Sequence, residues 1–141
     1  MNTFQTRLFD FIEQYHPEMM VDKAALKQFI EERADAASTE YEKATRDGHV
    51  HQEAMELSNQ TLYKGLDFAP IELLTEIAES NGLPSEETEL LAVYSKTKSI
   101  FDKYQTETDD FDMTEERELL KTELEQYIKE NGLLQETTSA R

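Results

Sequence analysis

Residues 22–48 read DKAALKQFIEERADAASTEYEKATRDG, and the fold is decided there. Ala25, Leu26, Phe29, Ile30, Ala34, Ala37, Tyr41 and Ala44 lie on one face at helical spacing, which predicts a long amphipathic helix. Asp22 has the side chain and the place of an N-cap. Gly48 suits the position just past the helix end, where a left-handed backbone favours glycine. The alanines on this face are small, so a neighbouring helix can approach closely.

The same rhythm continues on both sides. Phe4, Leu8, Phe11, Ile12 and Tyr15 form a stripe on a first helix that stops at His16-Pro17, because proline disfavours the α region in the residue before it. A third helix is predicted from about 51 to 64, with Val50, Ala54, Leu57, Thr61 and Leu62 inward and Gly65 as its stop. Pro70 suits the first turn of a fourth, whose inner side carries Ile71, Leu74, Ile77 and Ala78 and which ends at Asn81-Gly82. Pro84-Ser85 opens a fifth, with Glu86, Glu87 and Glu89 complementing the positive end of the helix dipole. Its buried side takes Leu90, Leu91, Tyr94, Ile100 and Phe101.

Residues 105–114 read as an acidic loop. A sixth helix follows, with Leu119, Leu120, Leu124, Tyr127 and Ile128 inward, a Glu125–Lys129 surface pair and a stop at Asn131-Gly132. No alternating apolar pattern persists long enough for a strand. The expectation is an all-α chain: a compact orthogonal or mixed bundle of about six helices, forming one domain over residues 1–134. A polar, disordered tail is expected over 135–141.

The chain has 141 residues, 31 Asp and Glu against 14 Lys and Arg, a net charge of −17, and no cysteine. Without cysteine there is no disulfide scaffold, zinc ribbon or thiol nucleophile. No stretch reaches the roughly 18 consecutive apolar residues of a membrane span, and the first residues lack the pattern of a secretory signal. A cytoplasmic location with no membrane partner is the expectation. The net charge repels phosphates, which argues against direct nucleic-acid binding.

Catalytic motifs are missing. His49-Val50-His51 places two histidines at a spacing that points them apart on a helix, and reads as an exposed turn. Glu13-Gln14-Tyr15-His16 has the Glu-x-x-His step of di-iron bundles, but such a site needs a second step and further glutamates. The acids at 109–116 lack the glycine and spacing of a calcium loop. The reading is therefore a non-enzyme with no cofactor and no metal. Its alternative is a metal-assisted hydrolase using carboxylates and His16.

Charge distribution says more. Residues 65–95 hold seven acids and no base. Glu72, Glu76 and Glu79 share one stripe of the fourth helix, where like charges a turn apart repel. With Glu86, Glu87 and Glu89, and with Asp109, Asp110 and Asp112, they form the candidate partner-binding surface, suited to a basic protein. Carboxylates one helical turn apart are spaced much like phosphates along a nucleic-acid strand, so the surface could occupy the phosphate site of a DNA-handling protein. The plain alternative is a solvated face that keeps the protein soluble.

Ile30-x-x-Arg33-Ala34-Asp35-x-Ala37, Tyr41-Glu42-x-Ala44, Gly48, Glu56-Leu57-Ser58-Asn59, Leu62 and Gly65-Leu66-x-Phe68 resemble a family of small acidic proteins of the Bacteroides group. Phe101-x-Lys103-Tyr104, Asp110-Phe111, Glu123-Leu124 and Asn131-Gly132-Leu133 resemble its C-terminal half. The family is the domain of unknown function numbered 1896. The resemblance implies a helical fold and a setting near conjugative or transposable elements, hence an accessory factor of a mobile element, with no catalytic residues to carry over. Arg33-Ala34-Asp35 reads as a charged pair fixing a helix–helix junction. A homodimer through the alanine-rich second helix is a further expectation.

Overall fold

The computed structural model describes residues 2–108 and 110–134. Among the described residues there are six α-helices: α1 (Thr3–Tyr15), α2 (Lys23–Arg46), α3 (His51–Leu62), α4 (Pro70–Ser80), α5 (Glu87–Phe101) and α6 (Glu115–Glu130). Short 3₁₀ turns occupy Pro17–Met20 and Phe111–Met113. Among the described residues there is no strand. The all-α class and the six helices read from the sequence are therefore present. The helices pack as two compact units, Met1–Leu66 and Asp67–Arg141. The expected tail over 135–141 lies outside the described residues.

In the first unit α2 and α3 form a helical hairpin and α1 lies against α2. Asp22 caps α2 by accepting from the Ala25 amide at 3.1 Å, and Asn2 caps α1 by accepting from the Gln5 amide at 2.8 Å. Gly48 turns the chain out of α2 with φ +93°, and His49 N–H then donates back to the Ala44 carbonyl at 3.0 Å. The core contains Leu8 and Ile12 of α1, Leu26, Ile30, Ala34 and Ala37 of α2, Leu62 of α3 and Leu66. The alanine seam is thus filled within the unit, where α3 contributes its own buried Ala54.

Arg33 explains the Arg-Ala-Asp signature. From α2 its Nη1 donates to the carbonyls of Thr61, Leu62 and Lys64, and its guanidinium lies 4.7 Å from the Phe29 ring centroid. The last carbonyls of a helix have no partner within it, and a cation there also meets the negative end of the dipole. A residue of one helix therefore terminates the next, and Asp35 stays exposed.

In the second unit α4, α5 and α6 pack around a larger core. Pro70 sits at the start of α4 as expected. Leu83 N–H donates to the Ala78 carbonyl at 2.8 Å and Leu133 N–H to that of Ile128 at 3.0 Å, closing α4 and α6 at the two Asn-Gly steps. At the centre the Phe68 ring meets Phe111 edge-on at 5.0 Å and Phe101 at 6.3 Å.

Four expectations need correction. The acidic loop contains a core anchor: Phe111 is only 2% exposed, delivered by the 3₁₀ turn after Asp110, whose φ is +66°. Val50 is 63% exposed because it is the N-cap of α3, outside the helical stripe. Leu119 is 60% exposed, since Leu120, Leu124 and Ile128 fill the inner stripe of α6. Glu125 accepts from Asn81 Nδ2 at 3.0 Å instead of pairing with Lys129.

Candidate interaction surface

The acids singled out by charge pattern divide into two groups. On α4 the three-acid stripe is broken at its middle. Arg117 of α6 brings Nη1 and Nη2 to the two carboxylate oxygens of Glu76 at 3.4 and 3.3 Å, and Lys121 Nζ lies 3.0 Å from one of them. The Arg117 hydrogen bond first, then that of Lys121, holds the Glu76 carboxyl below the usual carboxylate range. Arg117 Nε also reaches Asp112 at 3.1 Å, and Glu118 lies 3.6 Å from Nη1. Burial works against the Arg117 charge, but its bonds to Glu76 and Asp112 outweigh that and raise its pKa.

The second group stays open. Glu72, Glu79, Glu86 and Glu87 are exposed and Glu89 is half-buried; among the described residues no lysine or arginine pairs with any of them. Glu86 is the N-cap of α5, with Glu87 and Glu89 in its first turn, as the dipole favours. Asp110 is exposed beside Phe111, and Asp109 lies outside the described residues.

The pattern of acids did not reveal the bases that neutralise two of them, although one cue was present. Arg117 stands in the first turn of α6 among Glu115, Glu116 and Glu118, where a cation meets the wrong end of the dipole. A base in that position implies a partner elsewhere. The same unit holds a further ion pair, Lys103 with Glu123, whose other oxygen accepts from Tyr104 Oη at 3.0 Å. That pairing raises the pKa of Lys103 and lowers that of Glu123, while burial and then Glu123 push the Tyr104 phenol up. Tyr104 borders an open depression of about 530 Å³ lined also by Phe101, Asp102, Gln105, Thr106, Glu107 and Thr108.

The histidines do not gather. His49 Nδ1 faces Glu53 at 3.7 Å, and His51 Nδ1 lies 2.6 Å from Tyr41 Oη. His16 is buried, whereas Glu13 of the same Glu-x-x-His step is exposed. Among the described residues no group of three or more His, Asp or Glu converges to hold a metal ion. None of the helices there is long and apolar enough to cross a membrane.

The family described as "Domain of unknown function (DUF1896)" matches residues 1–133. A solved structure, the crystal structure of protein PG0816 from Porphyromonas gingivalis, is similar at 31% identity and a TM-score of 0.78, covering 94% of this chain and 93% of that one. No curated protein matches the chain. The chain belongs to the DUF1896 family.

Proposed function

We propose that this member of the DUF1896 family is a non-enzymatic interaction protein that docks a basic partner through its second unit. One observation carries the reading: Glu72, Glu79, Glu86, Glu87 and Glu89 come from a base-free stretch and keep their charges uncompensated by any described lysine or arginine. Carboxylates that repel one another in the free protein gain from an approaching cationic surface, and such fields chiefly raise the association rate. Glu76 and Asp112 belong instead to the fold.

The partner class is a DNA-handling protein of a mobile element, the setting implied by the family resemblance, with the open carboxylates standing where phosphates would lie. The test is a Glu72→Lys, Glu79→Lys, Glu86→Lys, Glu87→Lys variant that leaves Glu76 untouched. Basic proteins captured from the native host by the wild type, and released by duplex DNA or by salt, should be lost to the variant. Equal capture by both chains refutes the reading.

A further inference from the structure

His16 is 2% exposed, and both of its ring nitrogens face acceptors. Nε2 lies 2.8 Å from the Leu66 carbonyl oxygen, and Nδ1 lies 3.0 Å from Glu18 Oε2. A carbonyl can only accept, so Nε2 carries a hydrogen. A neutral ring would then present the Nδ1 lone pair to a carboxylate, which is repulsive at that distance. The contact becomes a hydrogen bond when one more proton sits between them, on Nδ1 or on Glu18.

Burial sharpens the demand. The Glu18 side chain is 8% exposed and its other oxygen, Oε1, is buried with no hydrogen-bond partner. A bare carboxylate there, next to a neutral imidazole, is poorly solvated and unpaired. From α1 the Phe11 ring packs at 5.9 Å, and Tyr63 of the α3 end meets Phe11 at 4.8 Å with the two rings tilted. Glu13 and Tyr15 of α1, Asp22 and Lys23 at the start of α2, and Lys64 are exposed.

We propose that His16 and Glu18 form a proton-retaining latch that pins the Pro17–Met20 turn and the Leu66 carbonyl to the end of α1, and that releases them in alkaline solution. The pair in the folded chain keeps a proton that an unfolded histidine gives up above about pH 6.5. The folded state then binds more protons than the unfolded one, so stability falls as pH rises. The folding equilibrium drops by up to about tenfold per pH unit until the pair itself deprotonates. With the proton gone, repulsion turns Glu18 outward and the turn loosens.

The experiment follows the histidine ring signals of the full chain by NMR from pH 5 to 10, with His16→Gln to assign them. The proton of the His16–Glu18 pair should be lost at least one pH unit above the unfolded histidine value of about 6.5, and amide exchange over residues 17–20 should quicken at the same pH. In Glu18→Gln the amide can donate to a neutral Nδ1, so the retained proton and the alkaline loss of stability should both vanish. Loss of the His16 proton at or below about pH 6.5, or equal alkaline sensitivity in Glu18→Gln, overturns the proposal. The wild-type titration decides the matter even where a variant folds poorly.

Discussion

Arg117 of α6 grips Glu76 of α4 across 41 residues of sequence, one guanidinium nitrogen to each carboxylate oxygen. The pair ties two of the three helices of its unit together, and Lys121 adds a second cation from the next turn. Arg117→Gln leaves Glu76 with Lys121 alone and takes from Asp112 its ion-pair partner. A loss of about 1 kcal/mol in urea unfolding is expected, modest because Glu76 is partly solvated.

The same pairing sets an acid limit. Glu76 has its pKa lowered in the folded chain from an ordinary value of 4.5. A depressed carboxylate contributes stability that is present above the unfolded pKa and is lost as pH falls through the folded one. Wild type should therefore be more stable than Glu76→Gln at pH 6–8, and the gap should close on acidification below about pH 4.5. A gap that widens in acid contradicts the assignment.

Charge reversal should separate the two kinds of acid. Glu72→Lys with Glu79→Lys removes repulsion on an exposed face, so stability should stay within about 0.5 kcal/mol of wild type. Glu76→Lys faces Arg117 and Lys121 directly and should cost more than both together, as thermal unfolding will show.

Arg33→Met keeps an apolar stem near Phe29 but removes the donors to the Thr61, Leu62 and Lys64 carbonyls. The expected loss is about 1–2 kcal/mol. Hydrogen exchange should accelerate at the end of α3 ahead of the rest of the unit.

Phe111→Ala empties the meeting point of three rings. Truncation of a fully buried phenylalanine costs about 3–5 kcal/mol, which should show as a large drop in the thermal midpoint followed by circular dichroism. Met113→Ala, two residues away and exposed, should change almost nothing.

Much of this fold is legible in the sequence because its signals are local. The period of apolar residues, Asp22, Pro70 and the Gly48, Asn81-Gly82 and Asn131-Gly132 stops act within a few residues of where they stand. Phe111 escapes notice because an isolated aromatic in a polar run has no period. Leu119 and Leu120 are adjacent, about 100° apart on a helix, and only the packing decides which turns inward. The candidate surface is legible as an excess of acid but not as a selection among acids. That choice depends on Arg117 and Lys121, which meet Glu76 only after the helices assemble.

The three central rings of the second unit come from places where helices begin and end: Phe68 just ahead of α4, Phe101 closing α5 and Phe111 in a turn before α6. Helix ends ordinarily fray first, yet here they are welded to one another. Cutting the backbone between Phe101 and Phe111 would therefore leave both fragments gripping the same aromatic knot, and the nicked unit would come apart only when that knot is undone.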